Sequence, residues 1–305
     1  MTVPVSRMHT RQNVRRAILL VSFLLFPVTF YYLSPYLIIM GAGERTASGS
    51  MMVFGVMTLT ALVLGHLFCG WVCPAGGLGE ALFAVQNRKA NNRRNWTRWL
   101  VWFPWIVVII LVTLRAGGIM HVDVLYQTDH GVSLTTAGGM GPYIIFYAVL
   151  ALVFILSLTA GRRGFCHHAC WMAPFMMIGR GLRNILRLPA VQLSANTPAC
   201  VGCYACTSAC PMSLEVQAMV LSQRMENSEC ILCGTCVDVY PHNVIHYDFG
   251  RPRSANPTPS SQGNRNHPSV RGNNCADRRP VCSTTQRLTR QRRAAVLRGR
   301  ASRRT

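Results

Sequence analysis

The sequence predicts an α-helical integral membrane protein of four transmembrane helices with a two-fold internal repeat, a small cysteine-rich α+β module and a disordered basic tail. Three observations predict it. Half of the 305 residues are hydrophobic and only 13% are charged, a balance that excludes an ordinary soluble domain. The apolar residues collect into four long runs ahead of residue 161. Eleven of the 13 cysteines fall in short-spaced groups before residue 240, which reads as metal ligation facing a reducing compartment rather than disulfide pairing.

A spanning helix needs about 20 apolar residues. The runs are 17–40, 51–68, 99–114 and 142–160, the third extending to Gly118 if Arg115 snorkels. The first is longer than a cleaved leader and lacks a small-x-small site, so it is read as a span. Pro27 and Pro104 are expected to kink their helices, and Trp96, Trp99, Trp102 and Trp105 form an aromatic belt at the start of the third. Arginines set the orientation: Arg7, Arg11, Arg15 and Arg16 precede the first span, Arg88, Lys89, Arg93, Arg94 and Arg98 lie between the second and third, and Arg162 and Arg163 follow the fourth. The opposite loops carry little charge. Both termini are therefore expected in the cytoplasm, with the chain multi-pass in the inner membrane.

The membrane part, 17–180, is duplicated. "FCGWVC" from Phe68 and "FCHHAC" from Phe165 each follow two spans, which puts both copies at the cytoplasmic ends of spans two and four. Cys69 and Cys73, like Cys166 and Cys170, are i and i+4 and share a helical face if the helix continues. Two such pairs at equivalent places make these four cysteines candidates for a redox or metal site at the membrane boundary. Spacing leaves one shared cluster, redox dithiols and a quinol gate all open. His66, His167 and His168 flank the motifs and are read as interfacial hydrogen-bonding groups.

Residues 181–250 hold a second pair of motifs. "CVGCYACTSACP" from Cys200 matches the C-x2-C-x2-C-x3-C-P run of bacterial ferredoxins, and "CILCGTCVDVY" from Cys230 repeats it with Tyr240 in the fourth place. Residues 213–221 and 243–249 are expected to supply the helix and strand of the module. In such two-cluster domains the fourth cysteine of each run ligates the other cluster. Cys230, Cys233 and Cys236 are then completed by Cys210 in a [4Fe-4S] cluster. Tyr240 faces the cluster of Cys200, Cys203 and Cys206, which is read as a labile, three-iron or carboxylate-completed centre, with Asp238 a nearby carboxylate. A phenol with an ordinary pKa of about 10 gives up its proton less readily than a thiol.

The tail, 251–305, has 14 arginines against one acid, Asp277, and no Phe, Tyr, Trp, Ile or Met, so it cannot bury a core. No aromatic is interleaved with its arginines, which leaves nucleic-acid stacking unsupported. The tail is assigned no role.

Together, four spans, two F-C-x3-C motifs and the paired ferredoxin runs resemble the NapH-type membrane polyferredoxins, relatives of the nitrous-oxide reductase regulator NosR and the CcoG-type oxidase assembly factor. The resemblance covers roughly residues 15–250. It implies a membrane-bound electron-transfer protein working between the quinone pool and a redox partner protein, with bound quinone a further implied cofactor, rather than a self-contained enzyme. The alternative it implies is a copper-reducing assembly factor, for which Met212, Met219, His242 and His246 are the nearby ligand types. One departure besides Tyr240 is Trp171, where the family has proline after the second motif.

Overall fold

The computed structural model describes residues 5–91, 94–135, 139–239 and 244–252. Tyr240, His242 and the tail beyond residue 252, including Cys275 and Cys282, lie outside them. The chain divides into two compact units, residues 1–200 with 204–253 and residues 201–203 with 254–305. The larger unit holds both the helical bundle and the cysteine-rich module.

The first apolar run is not one helix. Helix α1 (Val5–Leu24) carries it from the basic N-terminus, a short α2 (Phe26–Thr29) and a 3-10 turn (Tyr31–Leu33) follow, and α3 (Pro35–Gly43) completes it. The break lies at Ser34, which is extended (φ −86°, ψ 123°) because the ring of Pro35 excludes the helical conformation before it. Strand β1 (Thr46–Ser48) leads into α4 (Gly49–Leu64), whose 16 residues are shorter than the 51–68 run because Gly65 at φ +56° stops the helix. Ser48 caps α4 by accepting from the Met51 amide.

Short helices α5 (Leu67–Trp71) and α6 (Pro74–Ala81) carry the first cysteine motif. Among the described residues two helices are long and apolar enough to cross a membrane, α7 (Thr97–Ala116) and, beyond β2 (His121–Asp123), α8 (Gly141–Thr159). Their flanks stay open: Leu100, Phe103, Leu111 and Leu114 of α7 and Ile144, Tyr147 and Ile155 of α8 are exposed. Strand β1 pairs in parallel with β2, Thr46 opposite His121, tying together the loops that follow the first and third runs. Helices α9 (Gly164–His168) and α10 (Ala173–Leu186) carry the second motif.

Beyond them β3 (Ala190–Ala195) pairs antiparallel with β4 (Ile245–Gly250), framing α11 (Ala205–Ala209), α12 (Val216–Leu221) and α13 (Thr235–Asp238). The expected helix and strand are thus present, and β3 is the partner that the sequence reading lacked.

Part-buried ion pairs clamp this cysteine-rich lobe to the bundle. Arg11 reaches Asp238 at 2.5 Å, Arg98 pairs with Glu229, and Arg180 holds Glu226 through two bonds of 2.5 and 2.8 Å. Within the bundle, Glu80 receives Arg15 at 2.7 and 2.8 Å and Arg163 at 2.5 Å. Arg15 and Arg163 are 2% and 0% exposed. Burial works against the Glu80 charge, but Arg163 and Arg15 outweigh it and hold its carboxyl below the usual range.

Because that pKa falls on folding, the stabilisation from Glu80 is complete above the ordinary carboxylate range and is lost as pH drops through the lowered value. Glu80→Gln, which strands two buried guanidiniums, should cost about 3–5 kcal/mol and remove this acid-sensitive part of the unfolding profile. Unfolding in mild detergent across pH checks both; an unchanged midpoint at neutral pH refutes the clamp.

Candidate iron–sulfur sites

Each F-C-x3-C copy builds the same turn. The amides of Val72 and Cys73 both bond the Phe68 carbonyl, at 2.9 and 3.0 Å, and those of Ala169 and Cys170 both bond the Phe165 carbonyl at 3.0 Å. The helix therefore stops between the two cysteines of each pair, and the expected shared helical face does not form. In the first copy Pro74 holds Cys73 extended (φ −61°, ψ 121°) and opens α6. In the second copy the turn survives Trp171, because the proline is displaced to Pro174, in the first turn of α10.

These turns bring the two pairs together. Cys73 and Cys170 are 3% and 4% exposed in one apolar core with Phe54, Met57, Val153 and Phe165, and Cys69 packs against it. Cys69 is an electrostatic neighbour of Cys73, Cys170 and Cys166, and Cys170 of Cys166 and Cys73. Amides at the start of the following helices point at sulfur: Ala75 and Gly76 at Cys73, Met172 and Ala173 at Cys170.

The second copy packs into the bundle. Trp171 donates its indole N–H to the Leu33 carbonyl at 3.2 Å, well along the first apolar run, and Phe175 of α10 packs edge-on against Phe54 and Trp105. His66 and His167 are likewise buried, at 3% and 0% exposure. His168 is half-buried beside Thr97, whose hydroxyl donates to its carbonyl at 3.0 Å.

In the cysteine-rich lobe one cavity is lined by Cys210, Cys230, Cys233 and Cys236, with Leu193, Met212, Met219 and Ile231 among its apolar walls. Burial, reinforced by Cys233 and Cys230, pushes the Cys210 thiol up to about 12, and burial with the same neighbours pushes Cys236 up strongly. Amides of Met212 and Leu214 point at the Cys210 sulfur, and that of Leu232 at Cys230. Converging soft thiols in apolar surroundings, supplied with N–H donors, suit an iron–sulfur cluster. Among the described residues no three Cys, His, Asp or Glu side chains close on a single metal ion.

Local geometry fixes this loop. Gly234 adopts φ +74°, and a Cβ there would lie 2.5 Å from the Tyr247 hydroxyl. That hydroxyl donates to the Leu232 carbonyl at 2.7 Å, Gln12 donates to Cys233 O at 3.1 Å, and Arg180 donates to Cys230 O at 3.1 Å. Asp238 is engaged by Arg11 and Gln12, so it serves as an anchor rather than a spare ligand. Cys200 and Cys206 lie in the larger unit and Cys203 in the smaller one. Met212 and Met219 line the cysteine cavity and His246 is exposed on β4, while His242 lies outside the described residues.

The two cysteine sets abut. A Cβ on Gly70 would sit 2.2 Å from the Ile231 carbonyl oxygen and 3.5 Å from the Cys233 amide, so α5 lies directly on the loop. Trp71 adds an indole bond to the Leu232 carbonyl at 3.2 Å. Sequence reasoning had no signal for Gly70, whose role comes wholly from this close approach.

Known proteins fit this arrangement. A 4Fe-4S binding domain model matches residues 46–93 and 143–189, one stretch per repeat, and a 4Fe-4S dicluster domain model matches 192–241. The methylamine utilization ferredoxin-type protein MauN of Paracoccus denitrificans is 29% identical over 66% of this chain and 68% of its own. The ferredoxin-type protein NapH of Escherichia coli is 25% identical over 62% of this chain and 64% of its own. An uncharacterised protein of Methanocaldococcus jannaschii is 24% identical over 72% of this chain and 80% of its own. No solved structure matches. The likeness to NapH-type polyferredoxins read from the motifs is borne out, at moderate identity: the chain carries 4Fe-4S domains and is similar to ferredoxin-type electron-transfer proteins.

Gly70→Val should force α5 off the 230–236 loop and raise amide hydrogen exchange there by about tenfold, the equivalent of ~1.4 kcal/mol of local opening. Gly55→Ala, where an added Cβ meets nothing within 4 Å, is the control and should leave exchange unchanged. Equal exchange in both variants would refute the contact.

Proposed function

We propose that this protein is a four-span membrane electron-transfer protein that relays electrons between the quinone pool and a redox partner protein, with its ferredoxin-like lobe and both termini in the cytoplasm. Cys210, Cys230, Cys233 and Cys236 are the ligands for one [4Fe-4S] cluster. By their spacing alone, Cys200, Cys203 and Cys206 are assigned a second cluster, three-iron in form because Tyr240 replaces its fourth thiol. When bound, such clusters accept and release single electrons.

One observation carries this reading: the cavity of four cysteines rests, through Gly70, on the membrane repeat that holds four more. The chain's own residues prepare that junction. Apolar walls keep water from the cavity, backbone amides aim at its sulfurs, and Arg180, Gln12, Trp71 and Tyr247 fix its carbonyls. Support for the membrane comes from the two long apolar helices with open flanks and from the arginines on one side of the predicted spans.

Two measurements test the reading on anaerobically purified protein. A reduced short-chain quinol should bleach the cluster absorbance in wild type, and bleach less in Cys233→Ser, which loses one cluster ligand; reduction by dithionite alone would rule out the quinone relay. Tyr240→Cys should convert a three-iron electron paramagnetic resonance signal of the oxidised protein into a four-iron one, raising iron by about one per chain. Identical spectra would refute the assignment of Tyr240 to the first cluster.

A further inference from the structure

A cavity of about 500 Å³ opens where the loop after α6 meets the start of α7 and the end of α8. Small-molecule sites are typically of this size, roughly 300–1,000 Å³. Arg88, Lys89 and Arg94 line it with Thr97, Thr159 and His168, and no described carboxylate does. Lys89 shares its charge with Glu215 at 3.2 Å on the exposed surface. Arg88 and Arg94 are exposed and pair with no acid among the described residues. Helix α7, which reaches the cavity at Thr97, has no side-chain cap at Trp96 and no acid in its first turn. The positive end of its dipole therefore adds to the field of the arginines.

The backbone beneath these charges is fixed. The Arg162 amide donates to the Arg88 carbonyl at 2.9 Å, and Gly161, at φ +95°, lies so close that a Cβ there would sit 2.6 Å from the same oxygen. Two residues on, the Ala90 amide donates to the Ser213 hydroxyl at 3.0 Å. The Arg94 carbonyl accepts from the Thr97 hydroxyl at 2.9 Å. Both arginines thus stand on anchored chain while their guanidiniums stay open to the cavity. Anchoring of this kind lowers the ordering cost that a ligand would otherwise meet.

We propose that this cavity binds a phosphate-ester anion, supplied in a bilayer by the headgroup of an anionic phospholipid. Guanidinium donors match phosphate oxygens in charge and geometry, and basic pockets between spanning helices are a recurrent way of holding such headgroups. The cavity joins the first residue of α7 to the last of α8, the two described helices long and apolar enough to span. Leu156 gives it an apolar wall, and Leu100, Leu152 and Ile155 are exposed within about a turn of it along the same helices. A headgroup on the arginines would leave its acyl chains along those flanks. The lipid source rests on the membrane reading above; affinity for the phosphate group does not.

The test uses the full-length chain, stripped of lipid and held in neutral detergent, titrated calorimetrically with short-chain phosphatidylglycerol, short-chain phosphatidylcholine and inorganic phosphate. Phosphatidylglycerol should bind saturably and more tightly than the other two. An Arg88→Gln, Arg94→Gln double variant should bind it about thirtyfold more weakly. Arg224→Gln, which removes an exposed arginine of the lobe outside this cavity, should bind as wild type does. The lobe's electron paramagnetic resonance signal reports an intact fold in each variant.

Equal losses in the double variant and Arg224→Gln would overturn the proposal by showing diffuse attraction to a basic surface. Unchanged affinity in the double variant, or no saturable binding of any phosphate, would overturn it outright. Inorganic phosphate bound as tightly as phosphatidylglycerol, and lost in the double variant, would keep the phosphate site but overturn its lipid source. Flotation with phosphatidylcholine vesicles separates the two readings: a chain that does not float sinks the membrane assignment, whereas the titrations in detergent report on the cavity alone.

Discussion

Buried arginine–carboxylate pairing organises this molecule. Taking guanidinium and carboxylate out of water is expensive, so such pairs persist only where geometry and added hydrogen bonds offset desolvation. Here Arg15, Arg98, Arg163, Arg180 and Arg183 are all at most 5% exposed, and each is held by acids, carbonyls or amides from elements distant in sequence. The layer reaches from α1 through the Glu80 region to the cysteine-rich lobe. It makes bundle and lobe one compact unit rather than two domains on a linker.

That layer also positions chemistry. Arg163 binds the Cys69 carbonyl and Arg98 approaches that of Cys166, so the two copies of the membrane motif are gripped at equivalent places. Arg180 does the same for Cys230 in the lobe. A positive group near each cysteine set favours electron-rich sulfur there, and fixed backbone carbonyls limit the movement of ligands. The apolar flanks of α7 and α8 remain outside this machinery and are exposed.

The two repeats show how a turn can be preserved while its residues change. Phe68 and Phe165 each offer one carbonyl to two amides, and the chain then restarts a helix whose first turn contains proline. Pro74 follows its cysteine at once, whereas Pro174 comes four residues after Cys170. The difference is absorbed by Trp171 and Met172, and Trp171 converts the extra length into a hydrogen bond to Leu33. The result is a pseudo-symmetric core built from unequal sequences.

The sequence by itself determined what depends on local spacing and composition. Apolar run length identified α7 and α8, the C-x2-C-x2-C spacing identified the cysteine-rich lobe, and the 97-residue repeat identified equivalent cysteines. The tertiary structure decided what depends on contacts across the chain. Arginines counted as orientation charges turned out to include the buried partners of Glu80 and Glu229, because a charge pattern carries no record of its counter-ion. Helical continuity through each C-x3-C failed at the turn after phenylalanine, since i and i+4 spacing holds only while the amide ladder does. Gly70 became a contact residue because Ile231 lies on it, and only folding brings residues 161 apart in sequence to van der Waals distance.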